Sequence, residues 1–416
     1  MVIQRKKYLD MLVSGIGNNL VKIVTGVRRC GKSFLLFKLF HNYLTESGVE
    51  ENHIIELSLD DLRNKKLRKP EALLAYIDEH LVNDKKTTYI ILDEVQLVED
   101  FVEVLLSLLH TPYVDVYVSG SNSKFLSKDV VTEFRGRGDE IRVLPLSFAE
   151  YYSAVHGDKN QAWTDYYTFG GLPQILEFDS EKKKSDYLKN LYELTYIKDV
   201  IERNHLRNPE GLEKVVQVLA SIIDSPTNPK RMSDTFKSVE KKAITDKTIL
   251  NYIECLKDAF LIEEALRYDV KGRKYIGTET KYYFEDIGIR NAILNFRQQE
   301  EPHIMENIIY NELRYRGFNV DVGFVEGWTT SSEGKSSRHG TEVDFVVNKG
   351  AEKIYIQSAF RMPDDEKKNQ EERPLLSIND SFKKMIIVGD NIKRKIDENG
   401  IITIGLLDFL LDEDCI

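Results

Sequence analysis

The eight residues GVRRCGKS at positions 26–33 constrain the fold more than any other part of the chain, because they match the pattern G-x-x-x-x-G-K-[ST] in full. A mostly apolar run at residues 20–24 precedes them, and a helical pattern starts near Lys32. Glycines let such a loop wrap with its amide N–H groups pointing inward, and the helix that follows adds a positive dipole end. The sequence therefore predicts a phosphate-binding loop between a buried strand and a helix.

A carboxylate pair follows a second apolar strand, in the sequence YIILDE at residues 89–94. A phosphate-binding loop needs a carboxylate that helps to hold Mg²⁺, and we expect Asp93 to do this together with the hydroxyl of Ser33. We expect Glu94 to polarise the attacking water and Lys32 to reach the β and γ phosphates. These residues predict ATP and Mg²⁺ as ligands.

A third strand at residues 114–118 ends near Ser121 and Asn122, at the sheet edge where open α/β folds bind ligands. Either side chain could contact the γ-phosphate, or the segment could be a plain turn with a helix cap. Asp60 and Asp61 follow a further apolar run and would lie near the same edge, with a role that stays open. The residues predicted to contact the nucleotide are Gly26, Val27, Arg28, Arg29, Cys30, Gly31, Lys32, Ser33, Phe34, Ser121 and Asn122.

Two arginines, Arg135 and Arg137, lie on a predicted glycine-containing loop shortly after this strand, in the sequence EFRGRG. An arginine at such a place can stabilise transition-state charge, in its own chain or in a neighbouring subunit. Alternatively, both arginines simply form salt bridges in an acidic protein.

Six short motifs together resemble a widespread bacterial and archaeal family of AAA+-type ATPases with a C-terminal domain of unknown function. They are TGVRRCGKS (25–33), LDEVQ (92–96), SGS (119–121), LPLSFAEY (144–151), GGLP (170–173) and YIKD (196–199). The resemblance implies an ASCE-class P-loop ATPase core, a helical lid, a winged helix and a C-terminal domain with the restriction-endonuclease-like fold. Arg137 is similar to the Gly-Arg arginine of this family, which implies a catalytic role beside Lys32, Asp93 and Glu94.

The chain divides into four predicted segments of an α/β protein. Short apolar strands separated by amphipathic helices at 70–82 and 102–110 are typical of a parallel sheet covered by helices. Later, helices are followed by a hairpin of strands at 261–268 and 281–284, which favours a winged helix. Residues 329–340 are rich in Ser, Thr and Gly and predict a loop. The segments are the ATPase core (1–150), the helical lid (151–210), the winged helix (211–295) and the nuclease-like domain (296–416).

The last segment carries an incomplete nuclease pattern. Glu306, with Glu312 behind it, and Asp344 match the acidic residues that a restriction-type site places on a helix and at a strand start. On the next strand, however, Gln357 stands where a carboxylate is needed and Ala359 stands where a lysine is needed. We expect a nuclease-like fold without nuclease activity.

The charge balance restricts the partners. The chain of 416 residues has 58 Lys+Arg against 68 Asp+Glu, a net charge of −10, which argues against a protein that coats nucleic acid non-specifically. Residues 211–280 hold 12 Lys+Arg and 11 Asp+Glu, a net of +1, so a local contact with DNA remains open. The predicted recognition helix starts at Thr245 and carries Lys247 and Lys257 among acidic residues, and the hairpin tip 271–274 could touch a phosphate.

Three cysteines, Cys30, Cys255 and Cys415, lie far apart and predict neither a disulfide framework nor a paired metal site. The N-terminal residues have no apolar core of a signal peptide, and no stretch approaches the ~18 apolar residues of a membrane span. We expect a cytoplasmic protein without membrane contact.

These patterns predict a Mg²⁺-dependent ATPase that uses nucleotide binding and hydrolysis as a conformational switch. The alternative is an ATP-gated DNA-binding or genome-defence module that uses the winged helix and the nuclease-like domain. A nucleotide-binding scaffold that barely hydrolyses ATP is a third option. A protein partner or self-association fits each of them.

Overall fold

The structure, a computed structural model, describes residues 2–120, 134, 136–240, 244–297, 300–330 and 336–416, with backbone alone at 239, 240, 278, 327–330 and 336–339. The chain forms two compact units. The first unit contains the residues up to Pro145 together with Leu172–Gln174 and Asp258–Phe260. The second unit contains Leu146–Gly171, Ile175–Lys257 and Leu261–Ile416.

A sheet of five parallel strands forms the centre of the first unit, in the order β2-β3-β4-β1-β5. The three predicted strands lie within a residue or two of their expected bounds, and the parallel-sheet core is confirmed. Strand β5 was not predicted, because only one of its residues is buried. The strands are β1 Val21–Thr25, β2 Ile54–Ser58, β3 Thr88–Asp93, β4 Val114–Ser119 and β5 Gly138–Arg142.

Helices connect these strands and bury their apolar sides against the sheet. One core combines Ile90 and Leu92 of β3 and Val116 of β4 with Leu73 and Leu105 of two connecting helices. The helices of the first unit are α1 Lys6–Ser14, α2 Lys32–Phe34, a π-helical turn Leu35–Phe40, α3 His41–Glu46, α4 Pro70–His80 and α5 Phe101–Leu109. Shorter 3₁₀ turns are Glu51–His53, Leu62–Arg68 and Val95–Leu97.

Strand β4 lies between β1 and β3, and a buried ion pair joins it to β1. The ammonium of Lys22 contacts the carboxylate of Asp115 and also donates to the carbonyl oxygen of Leu20 at 2.9 Å. Asp115 accepts a further hydrogen bond from the Gly17 amide at 3.0 Å. Burial lowers the pKa of Lys22, and the nearby Asp115 opposes this effect. The pair therefore neutralises a charge inside the core.

The second unit begins with helices, as predicted. Ser147 and Glu150 form a capping box at the start of the first one, which is the local structure behind the LPLSFAEY motif. The 3₁₀ turn Pro173–Glu177, whose first two residues belong to the first unit, follows the second helix. The helices are α6 Phe148–Val155, α7 Lys159–Phe169, α8 Glu181–Leu191, a π-helical turn Tyr192–Ile197, α9 Lys198–Asn204, α10 Pro209–Ser221, α11 Pro229–Glu240, α12 Asp246–Asp258, α13 Ile287–Ile293, α14 Glu301–Tyr315, α15 Asp365–Leu376 and α16 Leu406–Leu411. The 3₁₀ turn Glu413–Cys415 ends the chain.

Gly170 ends α7, as its sequence predicts, and backbone packing explains why glycine is needed there. Its φ is 78°, and a Cβ atom at this position would lie 2.3 Å from the carboxylate of Asp286. The same carboxylate accepts the Gly171 amide at 2.8 Å and caps α13 through the amide of Ile289. The two glycines thus have a structural role.

One sheet of eight strands runs through the rest of the second unit, in the order β12-β13-β11-β10-β9-β8-β6-β7. Three helices, α10 to α12, precede the antiparallel hairpin of β6 and β7, which is the arrangement that the winged-helix hypothesis requires. Strand β6 pairs with β8, so the predicted segments 211–295 and 296–416 share this sheet, and the four-segment division stays a prediction. The strands are β6 Ile262–Asp269, β7 Lys274–Phe284, β8 Asn319–Thr330, β9 Ser336–Lys349, β10 Glu352–Ala359, β11 Lys383–Val388, β12 Lys395–Ile396 and β13 Ile401–Gly405.

The prediction of a loop at 329–340 is wrong for the residues of this range that the structure describes. Strands β8 and β9 extend into it from either side as an antiparallel pair, with Thr330 opposite Ser336 and Glu326 opposite Gly340. A Cβ atom on Gly340 would lie 1.9 Å from the ring of Phe324, so the glycine lets this ring lie across the hairpin. A composition rich in small residues can serve close packing as well as a loop.

Among the described residues, no helix is long and apolar enough to cross a membrane. The three cysteines are buried free thiols.

The Lys22–Asp115 pair predicts the first measurable effect. Asp115→Asn leaves the Lys22 ammonium in the core without its counter-charge, and breaking a buried pair in this way costs about 3–5 kcal/mol. We expect a loss of this size in the free energy of unfolding of the first unit, measured by urea denaturation. The double variant Lys22→Met/Asp115→Asn removes both charges and should regain most of it. An equal loss in the single and double variants would contradict this account.

Candidate active site

The loop 26–33 connects β1 to α2, and its glycines adopt backbone conformations that other residues avoid. Gly26 has a φ of 141° and Gly31 a φ of 102°. A Cβ atom on Gly26 would lie 2.1 Å from the carbonyl oxygen of Val143. In the same loop, Val27 and Cys30 are buried, Arg29 is exposed with a φ of 67°, and Arg28 is half-buried. Phe34, just after the loop, is 40% exposed.

Lys32 folds back over the loop that contains it. Its ammonium donates to the carbonyl oxygens of Gly26 at 2.8 Å and Val27 at 3.0 Å, and the side chain is buried. Hydrogen bonds to ionised oxygens are about twice as strong as those between neutral groups. An anionic oxygen would therefore bind the Lys32 ammonium more strongly than a neutral carbonyl group does. The loop therefore presents a buried cation to an incoming anion.

The carboxylate of Asp93 lies between two hydroxyl groups. Ser33 donates to its Oδ2 at 2.7 Å, and Ser119, at the end of β4, donates to its Oδ1. Burial raises the pKa of Asp93, while the hydrogen bonds from Ser119 and Ser33 lower it in part. The sheet brings the three together because β3 and β4 are neighbours with Leu92 opposite Val118.

This oxygen set suits a hard divalent cation. The Ser33 hydroxyl and the Asp93 carboxylate are adjacent, and Mg²⁺ is usually held in proteins by one or two carboxylates with substrate phosphates and water. Groups of three or more His, Cys, Asp and Glu with the geometry of a metal site are absent from the part of the chain that the structure describes. The donors present thus fit a metal that the nucleotide helps to bind.

Glu94 follows Asp93 with a left-handed backbone, at a φ of 55°. Its amide donates to the Ser119 hydroxyl at 3.1 Å, and its carboxylate accepts a hydrogen bond from the side-chain amide of Gln96. Strained backbone of this kind costs about 1–3 kcal/mol and is concentrated at functional sites. Ser119 therefore holds both residues of the carboxylate pair.

Asp60 and Asp61 lie at the predicted edge of the sheet. The Ser58 hydroxyl donates to Asp60 at 2.6 Å, and the charge of Asp60 contributes to the raised pKa of Asp93. Asp61 instead caps the 3₁₀ turn and binds Arg63, whose hydrogen bonds lower its pKa to about 2. These contacts give Asp61 a structural role.

Arg137 lies at the end of the sheet opposite to the loop 26–33, where β1 and β5 begin. It precedes β5, and its carbonyl oxygen accepts the amide of Val21 at 2.9 Å, at the start of β1, while the loop 26–33 follows the end of β1. The five residues of β1 separate the two positions by about 15 Å. The structure thus does not bring Arg137 to the loop of its own chain. Ser121, Asn122 and Arg135 lie outside the described residues.

Two residues of this site were missed in the sequence. Ser119 was predicted only as part of the SGS motif, although the last residue of a strand next to β3 is the one that contacts Asp93. Gln96 lies two residues beyond Glu94 in the LDEVQ motif, and this short spacing was the available signal.

Two family models match the chain. One is described as an AAA domain and matches residues 18–152. Most of these residues lie in the first unit. The other is described as a domain of unknown function, DUF8612, and matches residues 160–300.

Proteins similar over most of the length are known from a bacterium and an archaeon. An uncharacterized protein of Haemophilus influenzae is 29% identical over 415 residues, which is 99% of each chain. An uncharacterized protein of Methanocaldococcus jannaschii is 27% identical over 396 residues, 91% of this chain and 82% of its own. Both are similar to this chain along most of their length.

Solved structures match at low similarity. The Cdc6p of Pyrobaculum aerophilum has a TM-score of 0.31 and 13% identity, covering 74% of this chain and 95% of that chain. The ORC1 protein of Aeropyrum pernix, solved in complex with DNA, has a TM-score of 0.29 and 12% identity, covering 71% and 93%. TM-scores of this size carry no argument about this chain.

The second unit contains a buried charge cluster around Lys281, which the sequence did not reveal. The Lys281 ammonium lies 2.9 Å from Glu306 and 2.6 Å from Glu342, and Tyr283 donates to Glu306 at 2.7 Å. Burial alone would lower the pKa of Lys281, but Glu306, Asp344 and Glu342 raise it above its ordinary value. The Lys281 cluster (Lys281, Glu306, Glu342 and Asp344) thus holds one cation among three carboxylates.

The predicted nuclease residues fall partly in this cluster. Asp344 accepts the amide of Ser358 at 2.7 Å, and burial together with Glu306 raises its pKa well above the ordinary value. Glu312 instead pairs with Arg316 at 2.7 Å. Gln357 lies next to Ser358 on β10 and is buried. Lys281, on another strand, supplies a cation near Asp344, and the absence of nuclease activity stays a prediction.

Removing the cation of the Lys281 cluster should destabilise the second unit. Lys281→Met leaves buried carboxylates uncompensated, and we expect a loss of about 3–5 kcal/mol in the free energy of unfolding at pH 7, measured with urea. Lys274→Met, at an exposed site of the same strand, is the matched control and should have little effect. Equal stability of the two variants would show that the cluster does not need its cation.

The carboxyl group of Asp224 should make the stability of the protein depend on pH. It bonds His303 at 2.6 Å, and burial with the charge of Glu306 raises its pKa to about 7. Because this folded-state pKa exceeds the ordinary value of 3.8, its contribution to stability is full below pH 4 and is lost as pH rises through about 7. Asp224→Asn should therefore flatten the dependence of the melting temperature on pH between these values.

The exposed carboxylate Glu352 supplies the control for this measurement. Glu352→Gln should keep the pH profile of the unchanged protein. If Asp224→Asn keeps that profile as well, Asp224 does not titrate as described.

Proposed function

We propose that the protein is a Mg²⁺-dependent ATPase in which binding and hydrolysis of ATP act as a conformational switch. The observation that carries this proposal is the hydrogen-bonded chain from Ser33 through Asp93 and Ser119 to the Glu94 amide. It lies at the end of β1, β3 and β4, beside the loop that contains Lys32. The match of residues 18–152 to an AAA domain supports the same conclusion.

Nucleotide binding begins with the loop and Lys32. In this structure the ammonium of Lys32 donates hydrogen bonds to the carbonyl oxygens of Gly26 and Val27. Phosphate oxygens are ionised and accept stronger hydrogen bonds than these carbonyls, so Lys32 exchanges its partners when ATP binds. This exchange gives the loop different internal contacts in its free and bound forms.

Ser33 and Asp93 would hold Mg²⁺, which supplies neutralisation of phosphate charge when bound. Ser33 now donates a hydrogen bond to Asp93, and the lone pairs of its hydroxyl oxygen could bind the metal while this hydrogen bond is kept. Ser119 contacts both Asp93 and the Glu94 amide. A change at Ser33 therefore has a direct path to the backbone of Glu94.

Hydrolysis requires Glu94 to orient the attacking water. Its Oε2 now accepts a hydrogen bond from the side-chain amide of Gln96. Because a carboxylate accepts several hydrogen bonds, Glu94 can bind the attacking water beside Gln96 and act as its base. The chain thus contains a resting arrangement and, within the same residues, the groups for catalysis.

The alternative of a DNA-binding module gains no support from the charges of its predicted contact surface. Thr245 caps α12 as predicted, but Lys257 is paired with Glu254 and Glu264. At the hairpin tip, Lys271 donates to the carbonyl oxygen of Glu326 at 2.8 Å. DNA binding stays a hypothesis from the sequence.

The ATPase proposal predicts different defects for two variants. Lys32→Ala should lose both binding of a fluorescent ATP analogue and phosphate release, because it removes the buried cation. Glu94→Gln should bind the analogue normally and lose turnover by about 10²–10⁴-fold, the usual contribution of a positioned base.

Lys38→Ala, at an exposed position of the π-helical turn after the loop, is the control and should retain both activities. Unchanged phosphate release in Lys32→Ala and Glu94→Gln would refute the proposal. Tight binding with no turnover in the unchanged protein would support the scaffold instead.

A further inference from the structure

A buried arginine near the N-terminus contacts the nucleotide loop from outside. Arg5 immediately precedes α1 and is only 6% exposed. Its Nη1 donates to the carbonyl oxygen of Cys30 at 3.2 Å, and its Nη2 donates to that of Leu144 at 2.6 Å. Cys30 is the loop residue directly before Gly31. One guanidinium thus joins the N-terminal segment, the loop and the segment after β5.

The surroundings of Arg5 fix the orientation of its guanidinium. The group lies 4.7 Å from the ring centroid of Tyr8, one turn along α1. The hydroxyl of Tyr8 accepts the amide of Leu144 at 3.1 Å, so Arg5 and Tyr8 hold the same peptide segment. Arg5 itself has a left-handed backbone, at a φ of 44°. A non-glycine residue keeps this conformation only where surrounding contacts require it.

The contact with Cys30 determines the direction of one amide of the loop. In a planar trans peptide the C=O and N–H groups point in opposite directions. The C=O of Cys30 points to Arg5, so the N–H of Gly31, in the same peptide plane, points away from Arg5. An N–H group at this position of such a loop is one of the donors that surround a bound phosphate.

The side chain must be arginine for this geometry. A guanidinium is a rigid planar fork whose separate nitrogens reach two acceptors at once, whereas an ammonium is a single point. Here the two acceptors are 114 residues apart in the chain, at Cys30 and Leu144. Lysine at position 5 keeps the charge and loses the simultaneous contact.

We propose that Arg5 is a positioning residue for nucleotide binding, which holds the Cys30 carbonyl so that the Gly31 amide faces the phosphate. The inference rests on the proposed ATPase function. The N-terminal segment thereby affects the affinity of the site for nucleotide indirectly, because Arg5 acts through the loop and does not itself contact the nucleotide.

The test compares Arg5→Met, Arg5→Lys and the control Lys6→Met. Lys6 is an exposed cation on the first turn of α1, so its removal tests loss of charge without loss of the contact. The measurements are the Kd of a fluorescent ATP analogue, the turnover at saturating ATP and the melting temperature without nucleotide. Binding is measured well below the melting temperature of each variant.

Arg5→Met should weaken nucleotide binding about tenfold, the effect expected for one misdirected hydrogen bond to a charged group. Arg5→Lys should weaken it by a smaller factor, and Lys6→Met should leave it unchanged. Turnover at saturating ATP should change less than the Kd, because Glu94 and Asp93 are untouched.

A lower melting temperature with an unchanged Kd in Arg5→Met would overturn the inference, since Arg5 would then only stabilise the fold. If Arg5→Met does not fold, Arg5→Lys decides, and an unchanged Kd there has the same meaning. Absence of nucleotide binding in the unchanged protein would instead refute the proposed function.

Discussion

The position of β4 between β1 and β3 is the constraint on which the candidate active site depends. It places Ser119 next to Asp93, and through Asp93 the Ser33 hydroxyl of the loop after β1 joins the same chain of hydrogen bonds. Without a strand in between, β1 and β3 would be direct neighbours and no hydroxyl would link Asp93 to the Glu94 amide. The buried pair of Lys22 and Asp115 connects β1 to β4 where both strands begin, at the end away from the site. The strand is therefore held at one end by an ion pair and at the other by the site.

The carboxylates of the candidate active site and of the Lys281 cluster differ in the partners that surround them. In the first unit, the Asp93 carboxylate accepts hydrogen bonds from two neutral hydroxyl groups, which leaves its charge available to a metal cation. In the second, Lys281 supplies an ammonium to the carboxylates of the Lys281 cluster from within the chain. A carboxylate already paired with an internal cation has less need of a metal ion. The same residue type thus serves an open site in one unit and a closed network in the other.

The sequence predicted the parts of the fold that depend on local pattern. The loop 26–33, the strands before Gly26 and Asp93 and the helix stop at Gly170 follow from spacing and composition within a few residues. Ser119 and Arg5 could not be found in this way, because their partners lie 26 and 25 residues away and are brought together only by the sheet and by α1. Lys281 was missed for the same reason, since its strand was assessed only as part of a hairpin. The paired ends of β8 and β9 were predicted as a loop because residues 329–340 are rich in Ser, Thr and Gly, whereas Gly340 makes space for the ring of Phe324.

The place of Arg137 bears on how such an ATPase would work. The carboxylates, the loop and Lys32 lie at the carboxyl ends of the strands. Arg137 lies at the opposite end of the sheet, where β5 begins. An exposed arginine so far from the phosphate loop of its own chain cannot stabilise charge there, but it is free to reach the site of another copy. The arginine role that the family resemblance implies is therefore consistent with this fold only between subunits.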